Sequence, residues 1–164
     1  MQKFPYLKNP HHFLATLGGL GLFPIAPGTI GTIFAWLMFI VLSHFINAIT
    51  LVIVSVFIII FAVYISSVVT KDLIDKDHKS IVIDELAGIW FAMIPVLFIA
   101  STQYERSFYA LLVLVLFRIF DIFKPYPISY IDKNIKSGFG VVLDDLVAGV
   151  FAGVFASIII IYLI

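Results

Sequence analysis

The chain contains no cysteine. That excludes a disulfide, a thiolate metal site and a cysteine nucleophile. Charge is scarce: only 12% of the residues are Asp, Glu, Lys or Arg, against about a quarter in an ordinary soluble domain. Ten basic residues balance ten acidic ones, so net charge makes no case for nucleic acid. The opening MQKFPYLKNPHH lacks the basic start, apolar core and small-residue cleavage site of a signal peptide, and these residues are expected to stay on the protein. What the chain has instead is apolar length. It is 62% hydrophobic with a mean hydropathy of +1.15, concentrated in runs, which predicts a membrane protein. Its 164 residues suit a single domain covering 1–164.

The runs predict an all-α, polytopic transmembrane bundle of about five spans. Residues 13–28 (FLATLGGLGLFPIAPG) are apolar but carry four glycines and two prolines. Irregular backbone at membrane depth must be buried in protein or line a wet cavity, so this stretch reads as a re-entrant or interfacial segment. A first span fits Thr29 to Phe45, and a second runs from Ala48 to Val69 without a Lys, Arg, Asp or Glu. A third covers Ile81 to Ala100 with a kink at Pro95. A fourth covers Ser107 to Phe123, where Lys124-Pro125-Tyr126-Pro127 stops it, and a fifth runs from Val141 to Ile164. With five spans, segments 1–12, 70–80 and 124–140 share one side. Counting the span ends that adjoin them, that side holds nine of the ten Lys and Arg, with only Arg106 opposite, so it is read as cytoplasmic. Nine of the ten acids also lie there, with only Glu105 opposite. Acids contribute little to topology, so their clustering needs a separate cause.

The polar residues concentrate between Phe117 and Gly149, where Arg118, Asp121, Lys124, Asp132, Lys133, Lys136, Asp144 and Asp145 fall between two apolar runs. An earlier stretch, Ile81-Val82-Ile83-Asp84-Glu85-Leu86, partly echoes Val141-Val142-Leu143-Asp144-Asp145-Leu146. Each acidic pair is placed at or just inside the amino-terminal end of a helix, where capping and the helix dipole favour acids. Capping needs one acid, and each place has two. Four carboxylates gathered at an interface repel one another unless a divalent cation or a cationic substrate joins them. Hard oxygen ligands suit magnesium or calcium. Arg118 and Asp121, three apart, share a helix face, and about 100° per residue puts Lys124 within roughly 120° of Arg118. They read either as a snorkelling cation with a local partner or as binders of an anionic head group. Pro27-Gly28-Thr29-Ile30-Gly31-Thr32 is not a Walker A loop. It reads either as a turn with Thr29 as N-cap or as a helix start whose backbone N–H groups take an anion. Asp75-Lys76-Asp77 has no apolar strand before it, which argues against a soluble aspartate-nucleophile phosphatase, and His11, His12 and His78 lack zinc spacing.

Taken in order, Pro27-Gly28-Thr29-Ile30-Gly31-Thr32, Ile83-Asp84-Glu85-Leu86-Ala87-Gly88, Phe117-Arg118-Ile119-Phe120-Asp121-Ile122-Phe123-Lys124-Pro125-Tyr126-Pro127, and Gly138-Phe139-Gly140 through Asp144-Asp145 and Gly149 resemble the motifs of bacterial phosphatidylglycerophosphatase A. The likeness extends over nearly the whole chain. Thr32 stands where many members have Ser, which keeps the hydroxyl. The resemblance implies a magnesium-dependent lipid phosphatase at the cytoplasmic face of the bacterial inner membrane, converting phosphatidylglycerophosphate to phosphatidylglycerol.

On that footing Asp84, Glu85, Asp144 and Asp145 are expected to hold one or two magnesium ions. Arg118 and Lys124 would neutralise phosphoryl oxygens, with Thr29, Thr32, Gly28 and Gly31 around the phosphate. One carboxylate of the set, or Asp121, would orient or deprotonate water. Attack by water is favoured over an aspartyl-phosphate, and both remain open. A small ion-coupled transporter would also place carboxylates and broken helices in a membrane, but would release no phosphate. A nucleotide-dependent phosphotransferase would carry a DG-x2-AR pattern, which is absent. A purely structural membrane subunit would tolerate loss of the acids.

Overall fold

The computed structural model describes residues 4–71, 73 and 76–163. Among them the chain is helical throughout, with no strand. A short α1 (Pro10–Ala15) opens with Asn9 accepting a hydrogen bond from the His11 N–H and with proline in its first turn. Residues 13–28 then form no regular span. The chain turns through Leu17, Gly18 and Gly19 at positive φ and makes one 3-10 turn at Leu20–Leu22, consistent with a segment outside the regular spans.

Four long helices and one broken one follow. Helix α2 is Pro27–Ser43, and α3, Ala48–Thr70, is capped by Asn47. Helix α4 (Ile83–Met93) breaks before Pro95 and resumes as the single turn α5 (Val96–Ile99), because proline lacks the N–H to continue the ladder. Helix α6 is Gln103–Phe123. It starts four residues before the Ser107 expected from apolarity, because Thr102 and Glu105 form a reciprocal capping box. Helix α7 (Ile128–Asn134) lies inside what reads as a loop, and α8 is Gly138–Leu163.

Helix α4 is the centre. Ile83, Leu86, Ala87, Ile89, Trp90, Ala92 and Met93 are all buried, with α2, α3, α6 and α8 packed around them. Buried polar side chains tie the helices through backbone carbonyls. Trp90 Nε1 donates to Ala35 O at 2.8 Å, Trp36 Nε1 to Ala110 O at 2.8 Å, and the Tyr109 hydroxyl to Ala92 O at 2.9 Å. The most extensive packing is α4 on α8, and it is close because both helices carry glycine at the crossing. A Cβ on Gly149 would lie 2.5 Å from Gly88 O, and one on Gly88 would lie 2.8 Å from Asp145 O.

The outward faces are as apolar as the inside. Ile53, Phe57 and Ile60 on α3, Leu37 and Val41 on α2, and Val154, Ile158 and Ile161 on α8 are exposed. Two helices, Ala48–Thr70 and Gly138–Tyr162, are long and apolar enough to cross a bilayer. Helix α2 is apolar but shorter, at 17 residues.

Candidate active site

The two acidic pairs meet where α4 crosses α8. Asp84 lies four residues before Gly88, and Asp145 four before Gly149. Each acid therefore sits one turn from its glycine on the same helix face. Packing the glycines brings the acids together. Oxygens of Asp84, Glu85 and Asp145 lie within 4.8 Å of one another. Asp84 and Asp145 are 5% and 4% exposed. Glu85 Oε2 and Asp145 Oδ2 are buried and have no hydrogen-bond partner among the described residues.

Helix capping accounts for one pair only. Asp84 and Glu85 do occupy the first turn of α4. Asp144 and Asp145 do not begin a helix, because α8 starts at Gly138 rather than at Val141. Two buried acids a full turn inside a helix gain little from its dipole, which acts within the first turn.

Asp144 turns to a cation. Lys124 Nζ lies 2.7 Å from Asp144 Oδ2, 2.9 Å from Asp132 Oδ1 and 3.8 Å from Asp77 Oδ2. Lys124 closes α6 in the left-handed conformation, φ 42°. Pro125 disfavours the right-handed alternative, and three carboxylates from separate segments hold the ammonium. Burial alone would lower its pKa, but Asp144 and the other acids outweigh burial and hold it above the ordinary lysine value.

Arg118 serves the other side of the cavity. Its Nη1 donates to Asp121 and to Thr32 Oγ1 at 3.3 Å, and lies 4.0 Å from Glu85 Oε1. Its Nε is buried without a partner among the described residues. Thr32 passes its own proton back to Gly28 O at 2.8 Å. A Cβ on Gly28 would overlap Glu85 Oε1, so a larger residue there would have to displace that carboxylate.

These groups line one cavity of about 290 Å³, which takes in Asp84, Glu85, Arg118, Asp121, Lys124, Asp144 and Asp145 together with Ala26, Pro27 and Gly28 at the start of α2. Thr29 and Gly31 do not line it. Thr29 is inside α2 and is not its N-cap, a position taken by Ala26 at φ 48°. Gly31 packs on Val82, and Thr32 reaches the site only through Arg118. Three groups missed in the sequence belong to the neighbourhood: Asp77 and Lys79 line the cavity, and Asp132 fixes Lys124. Asp77 belongs to the Asp75-Lys76-Asp77 spacing, which the want of a preceding strand sets aside, no spacing marks Lys79, and Asp132 becomes legible only once α7 carries it back toward Lys124. Asp75 lies outside the described residues.

A family model for Phosphatidylglycerophosphatase A matches residues 13–160. The chain belongs to the phosphatidylglycerophosphatase A family. It is 36% identical over 148 residues to the phosphatidylglycerophosphatase A of Haemophilus influenzae, covering 89% of this chain and 86% of that one. It is 37% identical over 146 residues to the Escherichia coli phosphatidylglycerophosphatase A, covering 89% and 81%. A third relative, a putative phosphatidylinositol-3-phosphatase of Bacteroides thetaiotaomicron, is 28% identical over 158 residues, covering 93% and 96%. No solved structure matches the chain. The family motifs quoted above supply both sides of the cavity: the two acidic pairs, Arg118, Asp121, Lys124 and Gly28.

Proposed function

We propose that this chain is a phosphatidylglycerophosphate phosphatase, a membrane enzyme that yields phosphatidylglycerol and inorganic phosphate. The observation that carries the reading is the buried triad of Asp84, Glu85 and Asp145 beside Arg118, in a member of this family. Three carboxylates that close, with orphaned oxygens on Glu85 and Asp145, fit a hard divalent cation, whose ligands are oxygens. Magnesium held there would neutralise the triad and the charge of a phosphomonoester.

The chain's own groups do the rest. Asp121 and Thr32 fix the Arg118 guanidinium through Nη1, leaving Nη2 as a donor to a phosphoryl oxygen. Lys124, charged and anchored by Asp132 and Asp144, presents a second cation across the cavity. Asp121 and Asp144, outside the triad, are the carboxylates placed to take a proton from water. Water adds to phosphorus, the P–O bond to the head-group glycerol breaks, and the departing oxygen takes a proton. In this reading Asp84, Glu85 and Asp145 are committed to the cation, which favours water over one of them as nucleophile.

The exposed apolar faces of α2, α3 and α8 support a bundle embedded in lipid, with α2, α3, α4–α5, α6 and α8 as its five crossings. The bias of Lys and Arg supports a cytoplasmic cavity in the bacterial inner membrane, with the acyl chains remaining in the bilayer. The name of the Bacteroides relative concerns a different lipid, but again a phosphomonoester. The reading predicts phosphate release from phosphatidylglycerophosphate in detergent micelles with magnesium and none with a chelator. A folded preparation that releases no phosphate, yet moves an ion across vesicles, would replace it with the transporter reading.

A further inference from the structure

The bundle has a second cavity, of about 330 Å³, at the end opposite the carboxylates. It lies between the end of α2, the start of α3, the break after α4 and the start of α6. At the first cavity, the same α2, α4 and α6 contribute their other ends. The lining is two-sided: Phe39 and Met93 form an apolar wall, and His44, Asn47, Gln103 and Arg106 are polar. A space of this size takes one small ligand.

The charge balance here differs from that of the first cavity. Arg118 and Lys124 each face carboxylates. Arg106 makes one long hydrogen bond, from Nε to Ala100 O at 3.4 Å, and pairs with no carboxylate among the described residues. Its neighbour Glu105 is committed elsewhere, since Oε2 accepts from the Ser101 N–H at 2.7 Å and completes the α6 cap. Arg106 is exposed, as are His44, Asn47 and Gln103, so the mouth of the cavity carries a solvent-facing guanidinium with no carboxylate partner among the described residues, a fork suited to phosphate. Phe45, Phe98 and Tyr104, at 79%, 64% and 67% exposure, stand at the same end, as aromatics do at the head-group level of a bilayer.

We propose that this cavity is a lipid site, taking the phosphodiester head group of an anionic phospholipid from the leaflet opposite the carboxylates, with Arg106 as its phosphate ligand. The inference rests on the membrane reading above. The guanidinium binds the phosphodiester, the amide of Gln103 and the ring of His44 meet the polar head group, and the acyl chains leave along the exposed apolar face of α2 and α3. A guanidinium at head-group depth recognises a lipid phosphate through charge-assisted, forked hydrogen bonds.

The test uses the full chain in detergent. Dioctanoyl phosphatidylserine, an anionic phosphodiester that is neither substrate nor product of the proposed reaction, is titrated against dioctanoyl phosphatidylcholine, with native mass spectrometry counting bound lipid. The wild type should bind the anionic lipid in preference. Arg106→Gln should weaken that binding about tenfold or more, the worth of a charge-assisted hydrogen bond. Arg106→Lys should fall between, and Arg118→Gln should bind as the wild type does. The proposal is overturned by equal binding of the two lipids, by no binding to the wild type, by wild-type binding in Arg106→Gln, or by loss in Arg118→Gln alone. Phosphate release is measured separately, so a chain that binds the lipid at Arg106 but hydrolyses nothing would refute the phosphatase reading and leave this one standing.

Discussion

Replacing Gly149 with alanine separates fold from catalysis. The new Cβ would lie 2.5 Å from Gly88 O, whereas ordinary contact begins near 3.4 Å, so α4 and α8 must part by about 0.9 Å (3.4 − 2.5). Overpacking of this kind costs about 1–3 kcal/mol. Alanine returns about 1 kcal/mol through helix propensity, which leaves a net loss of about 0–2 kcal/mol. Asp145 and Asp84 sit one turn from this crossing, so the spacing of the triad shifts by a similar amount. A displacement near 1 Å at a reacting centre costs about a hundredfold in rate. The variant should therefore melt within a few degrees of wild type but turn over phosphatidylglycerophosphate about a hundredfold more slowly. Gly153→Ala is the control. Its Cβ would lie 3.2 Å from Ala92 O, two turns from Asp145, and it should keep most activity. Wild-type turnover in Gly149→Ala would refute the claim that the glycine crossing sets the triad.

Two further outcomes follow from the cations. Arg118→Lys keeps a charge but loses the fork that reaches Asp121, Thr32 and the substrate together, and turnover should fall by about a hundredfold; turnover within twofold of wild type would remove Arg118 from the phosphate. Lys124 has a raised pKa, caused by Asp144 and its other acids overcoming burial, so less of it is neutral amine at any pH below its folded value. At pH 8–9 an amine-acylating reagent should modify Lys124 more slowly in the wild type than in Asp144→Asn, which loses the nearest of its acids. Equal labelling of Lys124 in the two chains, read by peptide mass spectrometry, would contradict the ion-pair geometry.

Much of this site was legible because charge is conspicuous in an apolar chain. Asp84, Glu85, Arg118, Asp121, Lys124, Asp144 and Asp145 all line one cavity, as their isolation between apolar runs suggested. The echo between the two acidic stretches is one residue out of step with the packing: it aligns Asp84 with Asp144 and Gly88 with Ala148, whereas the acid and glycine four apart at the crossing are Asp84–Gly88 on α4 and Asp145–Gly149 on α8. Helix starts were harder to place. Gly138 and Gly140 read as loop, yet α8 begins at Gly138, since a Cβ there would overlap the Ser67 backbone and tertiary packing overrides propensity. That shift moved Asp144 and Asp145 from a helix cap to a helix interior. The division of labour within the four expected metal ligands was also hidden. Asp144 pairs with Lys124 because α7 and Asp132 fold back on it, a contact no local pattern encodes. By spacing, Thr29 and Gly31 are open between a turn and an anion site; the helix begins at Pro27, and neither residue lines the cavity.

The central claim is that Asp84, Glu85 and Asp145 hold the metal that hydrolysis needs. Its most direct test is a magnesium titration of wild type and Asp145→Asn, following phosphate release and melting temperature in the same preparations. The wild type should gain turnover and thermal stability saturably with magnesium. The variant should stay folded, lose the magnesium-dependent rise in melting temperature and turn over about a hundredfold more slowly or less. A folded Asp145→Asn with wild-type turnover and an unchanged magnesium response would contradict the account.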